Sequence, residues 1–182
     1  MTRLSRLKAI QVDEEFTKGF LPRFVAWKIL QAIGGGTYSD VAIERAFRKH
    51  SLMKSDKALI TELVCGAVRQ RLLLDAWIDY LAKIPASKQP PLLRWLLHVG
   101  LYQILFMDRI PESAAVNTTV EIAKRNHLKQ LAPVVNAVLR KAIRSRDDSE
   151  ELPALNDILE RLSQKYSMPL WLVQELIKWR GE

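Results

Sequence analysis

The sequence WLLHVGLYQILFMDRIPESAAVNTTVEIAKRN, residues 95 to 126, has the highest apolar density in the chain. From Leu92 to Met107 the only polar interruptions are Arg94, His98 and Gln103. A helix that is apolar on almost all sides is normally surrounded by other helices. The segment Asp108–Pro111 then breaks the helix, and a second one can begin near Glu112 or Ser113. This pattern predicts a helical hairpin whose first member, residues 92 to 107, is the central helix of the fold.

The rest of the chain favours an all-α fold of one domain. The apolar run is too long for a typical strand and shorter than the roughly 20 residues of a membrane span. The composition is 48% hydrophobic and 26% charged, with 7 Gly and 8 Pro in 182 residues, which suits long helices better than a many-turned β fold. A single cysteine, Cys65, permits no disulfide framework and points to a reducing, cytoplasmic setting.

Helical periodicity and breaker residues divide the chain into segments. Residues 1 to 20 form a flexible or partly helical leader, and the first firm helix begins at Leu21–Pro22. The glycines at 34 to 36 end it and form a loop, because no Gly-Lys-Ser/Thr sequence follows them. The further predicted helices cover 41 to 50, then 57 to 84 as two helices that meet between Gln70 and Leu74, then 128 to 146, 155 to 166 and 170 to 179. In the predicted helix at 128 to 146, Pro133 is acceptable if the helix starts near Ala132 or bends there.

Charge is unevenly distributed along the sequence. The formal charge is +8, with 24 Lys and Arg against 12 Asp and Glu in residues 1 to 146, and 4 against 8 in residues 147 to 182. A basic body attracts polyanions such as nucleic acid. The sequence therefore predicts a basic domain over 21 to 146, followed by an acidic connector and two helices over 147 to 182. A merely soluble basic protein explains the charge equally well.

The densest basic cluster lies in and before the predicted helix at 128 to 146. It suggests a phosphate-contacting surface, although a solvated face without a ligand is an equal alternative. The residues are Lys124, Arg125, Lys129, Arg140, Lys141, Arg144 and Arg146. Asn117 and Asn136 lie in otherwise apolar helical segments, and we expect each to tie its helix to a neighbouring backbone in preference to a ligand.

No catalytic or metal site can be assembled from the residue pattern. His50, His98 and His127 stand at unrelated spacings, and His98 is expected to be a core histidine with a polar partner. Cys65 occupies a position where a small core hydrophobe is expected. We therefore expect no catalytic residue, no metal and no membrane segment in this chain.

Several motifs, in a fixed order, resemble the NusB family. They are DKAL at 56 to 59, ELVCGAVR at 62 to 69, VGLYQ at 99 to 103, RIP at 109 to 111, AAVN at 114 to 117 and VNAVLR at 135 to 140. The best resemblance is to the NusB-like N-terminal domain of the RsmB (Sun, Fmu) family of ribosomal RNA cytosine-5 methyltransferases. The resemblance implies a bundle of two packed helical subbundles, and MPLWL at 168 to 172 is similar to the stretch that leads to the methyltransferase domain in that family.

The resemblance also implies a function. The chain would be a non-catalytic domain that binds or positions small-subunit ribosomal RNA for a methyltransferase domain in cis. That domain would bring S-adenosylmethionine and two catalytic cysteines, and no cofactor is expected here. The alternatives are a NusB-type antitermination factor that binds boxA RNA, and an interdomain protein scaffold.

The first helix carries only part of the RNA-contacting pattern of NusB. That family contacts boxA RNA through an arginine-rich first helix, of which Arg23 and Ala26 match here, and we add Arg23 and Lys28 to the predicted RNA-contacting residues. NusB also presents an aromatic residue where this chain has Val134, and stacking on such residues is a usual source of affinity for unpaired bases. Recognition of boxA is therefore less expected than binding through phosphates.

Overall fold

The computed structural model describes residues 3 to 147, 152 and 157 to 180, with side chains described from Gly19 onward. Within those residues the secondary structure is entirely helical, which confirms the all-α prediction. Two short 3-10 helices cover Ala86–Lys88 and Lys129–Leu131. The α-helices are α1 Arg3–Gly34, α2 Ser39–Lys49, α3 Lys54–Arg69, α4 Arg71–Leu81, α5 Pro91–Phe106, α6 Glu112–Arg125, α7 Ala132–Asp147, α8 Ile158–Tyr166 and α9 Leu170–Arg180.

Helix α5 is the centre of the fold, as its apolar sequence predicts. Leu96, Leu97 and Leu101 are fully buried, and α5 packs against α1, α3, α4, α6 and α7. Helices α1, α2 and α3 pack together, α6 packs on both α1 and α7, and α7 also contacts α4. Gly66 on α3 permits the α3–α5 contact, because a Cβ at that position would overlap the Tyr102 ring.

The polar residues of α5 all have partners on other helices. Arg94 Nε donates to Asp75 Oδ1 at 2.7 Å, and His98 Nε2 lies 2.8 Å from the same oxygen. Burial acts to raise the pKa of Asp75, but the hydrogen bonds from His98 and Arg94 outweigh it and hold that pKa below its usual value. Burial lowers the pKa of His98, so the imidazole is neutral and donates from Nε2. His98 is the core histidine with a polar partner that the sequence predicts, although its buried Nδ1 has no hydrogen-bond partner.

The first helix is longer than predicted. It begins at Arg3 and runs through Pro22, whereas the sequence places its start at Leu21–Pro22. Packing outweighs the local effect of the proline: Phe20 and Leu21 pack against the core, and Arg23 Nη1 donates to the Gly19 carbonyl at 2.7 Å. These contacts stabilise the turn that the proline weakens.

The later boundaries follow the sequence more closely. The α3–α4 junction lies at Gln70, within the predicted interval, and α7 starts at Ala132 so that Pro133 stands in its first turn. Helix α8 starts at Ile158, where Asp157 caps it by accepting from the Leu159 and Glu160 N–H groups. The predicted acidic connector lies mostly outside the described residues.

Helix α8 packs on α4, and α9 packs on α8. Ser167, between the two helices, has a left-handed backbone with φ of 52°, and its Oγ accepts from the Leu72 N–H at 2.9 Å. Val173 is buried, whereas Trp171 and Trp179 are 64% and 82% exposed. Two exposed tryptophans on one short hairpin form an apolar surface of the kind that binds other proteins or domains.

Candidate nucleic-acid interface

Helices α6 and α7 form an amphipathic hairpin that carries most of the predicted basic cluster. Ile122 and Ala123 on α6, and Val138 and Leu139 on α7, are buried against the rest of the molecule. The basic side chains occupy the opposite face because helical periodicity separates the two sets. All seven members of the cluster are exposed: Lys124, Arg125, Lys129, Arg140, Lys141, Arg144 and Arg146, the last of which lies near the end of α7.

Two adjoining depressions lie on the outer face of this hairpin. One, of about 350 Å³, is lined by Glu112, Asn117, Arg140 and Arg144 among others. The second, of about 820 Å³, again includes Asn117. Its polar lining residues are Asn117, Glu121, Lys124, Lys129 and Asn136. We call the residues of both depressions the α6–α7 surface.

Two cations of the α6–α7 surface make exposed, local contacts. Arg140 Nε donates to Asn136 Oδ1 at 3.1 Å, and Lys124 Nζ lies 3.8 Å from Glu121 Oε2. Exposed pairs of this kind contribute about 0–1 kcal/mol each. These cations can therefore exchange their present partners for phosphate oxygens at little cost.

The two asparagines have a different role from the predicted one. Asn117 is exposed and lines both depressions, while Asn136 accepts from the Arg140 side chain on its own helix. The prediction that each binds a neighbouring backbone is wrong, because both residues lie toward the outer face of the hairpin. Amides at that position add hydrogen-bonding groups to a basic surface.

Lys141 and Arg146 are engaged with the protein itself. Lys141 Nζ lies 5.2 Å from the Tyr80 ring centroid and 3.4 Å from the Tyr80 carbonyl oxygen. Arg146 donates to Glu112, to Asp147 and, at 3.0 Å, to the Ile104 carbonyl. The hydrogen bonds to Asp147 and Glu112 raise the pKa of Arg146. Both residues connect α7 to other helices, and neither lines the two depressions.

Arg23 is not available at the surface. It is 5% exposed, and its Nε donates to Gln103 Oε1 at 2.5 Å. Burial lowers the pKa of this guanidinium. The correction has a signal in the sequence, since Arg23 shares a helical face with Ala26, Trp27 and Leu30, which are all buried. We therefore remove Arg23 from the candidate interface.

Lys28 lies apart from the α6–α7 surface. It is exposed, with Nζ 4.8 Å from the Trp27 ring centroid and 5.7 Å from that of Phe24. It lines a separate groove between α1 and α2 together with Arg45 and Lys49. Sequence reasoning did not select the α2 residues, although Arg45 and Lys49 are one helical turn apart.

Arg125 flanks the α6–α7 surface without lining its depressions. Its Nε donates to Glu121 at 2.8 Å, and its guanidinium carbon lies 5.3 Å from the Phe20 ring centroid. Arg125 thus connects the basic face of α6 to the aromatic face of α1.

The described side chains contain no group of three or more His, Cys, Asp or Glu residues that could hold a metal ion. Cys65 is partly buried. In the same part of the chain, none of the helices combines the length and the apolarity that crossing a membrane requires.

Comparison with known proteins connects this arrangement to a family. The NusB family pattern matches residues 21–144. The chain is 43% identical to a probable ribosomal RNA small subunit methyltransferase B of Synechocystis over 153 residues, 84% of this chain and 34% of that protein. It is 33% identical to a protein of the same name in Bacillus subtilis over 138 residues, 76% of this chain and 30% of that protein.

A solved structure agrees with the fold. The crystal structure of PH0851 superposes with a TM-score of 0.70 at 19% identity, over 88% of this chain and 36% of that one. This chain therefore spans about a third of the length of the relatives that it matches. The family pattern covers well over half of its residues, and the chain belongs to the NusB family.

Proposed function

We propose that this chain is the RNA-binding and RNA-positioning part of an S-adenosylmethionine-dependent methyltransferase that acts on small-subunit ribosomal RNA at cytosine-5. The α6–α7 surface is the observation that carries the proposal. Four exposed cations, Lys124, Lys129, Arg140 and Arg144, line two adjoining depressions that also contain two asparagine amides. Cations supply affinity for phosphates, and amides can accept and donate hydrogen bonds to sugars and bases.

The methyltransferase assignment rests on the relatives. Proteins named ribosomal RNA small subunit methyltransferase B match over most of this chain, while this chain covers about a third of each of them. In this proposal S-adenosylmethionine and the chemical step belong to a catalytic domain in cis, outside these 182 residues. No residue of this chain is assigned to the cofactor, and a cytoplasmic location remains a prediction.

The exposed tryptophans support contact with that catalytic domain. Trp171 and Trp179 lie on α9, after the body of the NusB fold, and are the most exposed tryptophans among the described residues. A protein surface of this kind usually marks a binding interface. In this proposal α8 and α9 therefore face the catalytic domain, and α6 and α7 face RNA.

Titration of RNA at two salt concentrations tests the proposal. The variant K124A/K129A/R140A/R144A removes the four lining cations, and K54A/K88A/K165A/K178A removes four exposed cations that line neither depression. We expect the first variant to bind a small-subunit ribosomal fragment more weakly, with a salt slope that is shallower by about 1 for each phosphate that the protein no longer neutralises. The control variant should retain both the affinity and the slope of the unmodified chain.

Comparison of three RNAs separates this function from its alternatives. A ribosomal fragment, a boxA oligomer and a scrambled sequence are titrated in parallel. Preference for the ribosomal fragment supports the proposal, whereas preference for boxA indicates the antitermination function. Equal, salt-sensitive binding of all three contradicts a preference for ribosomal RNA. Salt-insensitive or undetectable binding of all three contradicts RNA binding and favours a protein scaffold.

A further inference from the structure

The groove between α1 and α2 is a second cationic site on this molecule. It holds about 310 Å³ and includes buried Val25 and Ile29 among its lining residues. Lys28, Arg45 and Lys49, which are all exposed, also line it. The groove therefore combines apolar contact surface with three positive charges that water now solvates.

Acidic residues distinguish this groove from the α6–α7 surface. Each depression of the α6–α7 surface contains a glutamate, Glu112 in one and Glu121 in the other. The residues that line the α1–α2 groove include no carboxylate. The two nearest in sequence are engaged elsewhere, since Glu44 pairs with Arg48 and Asp40 accepts from the Val41 N–H. The groove therefore has a more uniformly positive lining than the α6–α7 surface.

A strip of two aromatic rings with a cation at each end joins the two sites. The guanidinium of Arg125, next to Lys124 of the α6–α7 surface, lies 5.3 Å from the Phe20 ring centroid. The Phe20 and Phe24 centroids are 5.8 Å apart, with ring planes inclined by 12°. Lys28 Nζ follows at 5.7 Å from the Phe24 centroid and belongs to the α1–α2 groove.

The strip is a continuous face of one helix. Phe20, Phe24 and Lys28 are spaced four residues apart, so they lie above one another on α1 and span roughly 12 Å. Both rings are only partly buried. Aromatic rings and guanidinium groups are surfaces on which unpaired bases stack, and neighbouring cations contact the phosphates between them.

We propose that the α1–α2 groove is a second contact site for the same RNA strand that binds the α6–α7 surface, and that the strand crosses between the two sites along the strip from Arg125 to Lys28. This inference rests on the proposed RNA-binding function. The RNA is unpaired at the strip, so that its bases contact Phe20 and Phe24. Its phosphates lie against Lys28, Arg45 and Lys49.

Oligouridines of two lengths test the strand path. The groove variant, K28A/R45A/K49A, removes the three cations of the α1–α2 groove, and the α6–α7 variant, K124A/K129A/R140A/R144A, removes the four cations of the α6–α7 surface. The variant K88A/K165A/K178A, which removes three exposed lysines elsewhere, is the control for the groove variant. For an oligomer of about 16 nucleotides, the groove variant should lose roughly tenfold in affinity, and its salt slope should fall by about 2, since each single-strand phosphate contact contributes about 0.7. An oligomer of about 4 nucleotides is too short to occupy both sites. Each variant should therefore still bind it through the unmodified site, and only the variant that combines both sets of substitutions should lose this binding.

The outcomes separate this inference from the proposed function. If the groove variant binds the long oligomer as tightly as its control while the α6–α7 variant does not, the second site is refuted and RNA binding by the α6–α7 surface stands. If neither variant loses affinity, both proposals fail. If an acidic peptide of matched charge binds the unmodified chain more tightly than the long oligomer does, and the groove variant loses that preference, the groove favours protein and the inference is also refuted. Far-UV circular dichroism of each variant verifies that it is folded.

Discussion

Two helical hairpins, α6–α7 and α8–α9, lie on the same body and expose opposite chemistry. The α6–α7 hairpin buries its apolar face, including Ile122 and Leu139, and exposes cations and amides. The α8–α9 hairpin buries little beyond Val173 and exposes Trp171 and Trp179. The first buries its apolar face and exposes a basic surface, which suits the polyanion of the proposed function. The second exposes apolar surface, which suits a protein contact.

The largest effect should follow from disturbing the base of the α6–α7 hairpin. Leu139 is fully buried, and its side chain packs so closely on α5 that a Cβ at Gly100 would lie 2.6 Å from Leu139 Cδ2. Leu139→Ala should lower the free energy of unfolding by about 2–5 kcal/mol, because it removes apolar contacts and leaves a cavity. Urea unfolding measures this. Val134→Ala, at a 38% exposed position of the same helix, should change stability by about 0.5 kcal/mol or less, and equal effects of the two substitutions would contradict the packing described for α7.

Asp75→Asn should weaken the helix on which α8–α9 rests. Arg94 and His98 would each lose the carboxylate that they share, at a cost of about 2 kcal/mol. Asp108→Asn, at an exposed position, should change the free energy of unfolding by no more than about 0.5 kcal/mol.

The effect of Asp75→Asn should also depend on pH. The folded protein holds the pKa of Asp75 below its ordinary value of 3.8, so the stabilisation by the carboxylate is fully present above that value. It is lost as the pH falls through the lower pKa of the folded state. The difference in unfolding free energy between the unmodified chain and the variant should therefore shrink below about pH 4. A difference that grows on acidification would contradict this assignment.

Ser167 should control how firmly α8–α9 attaches to α4. Ser167→Ala removes the oxygen that accepts from the Leu72 N–H and should cost about 1 kcal/mol locally, seen as faster amide exchange at Leu72 and in α8. Ser167→Gly also loses the hydroxyl, but glycine adopts a φ of 52° without strain, so its effect should be smaller. A larger loss for glycine than for alanine would show that the left-handed turn is not maintained in solution.

The smallest effect should come from the exposed tryptophans. Trp179→Ala should change the stability of this chain by about 0.5 kcal/mol or less, because the side chain is 82% exposed. Trp27→Ala should cost about 3–5 kcal/mol, since Trp27 is buried and its Nε1 donates to the Leu92 carbonyl. Thermal unfolding of both variants checks the contrast. A stability loss for Trp179→Ala close to that of Trp27→Ala would contradict the exposed position of Trp179.

The sequence predicts the parts of this fold that depend on local periodicity. It places the central helix at 92 to 107, and that helix spans Pro91–Phe106; it places the α3–α4 junction between 70 and 74, and the junction lies at Gln70. The first follows from the prolines before the helix and the break after it, and the second from a helical run that is too long for one typical helix. The basic cluster is likewise visible in the sequence alone.

Contacts between residues far apart in the sequence escape prediction. The sequence places Arg23 at the surface, but its partner Gln103 is 80 residues away and only the fold brings the two together. The sharing of Asp75 by Arg94 and His98 depends in the same way on how α4 packs against α5. Which basic residues line a depression and which connect helices, as Lys141 and Arg146 do, also depends on this packing.

The most direct test of RNA binding by the α6–α7 surface is amide hydrogen exchange of the 182-residue chain with and without a small-subunit ribosomal RNA fragment. Addition of RNA should slow exchange in the exposed turns of α6 and α7 and leave exchange in α8 and α9 unchanged. Protection of α8 and α9 with none in α6 and α7 would contradict this assignment, because the apolar hairpin would then be the RNA-contacting surface.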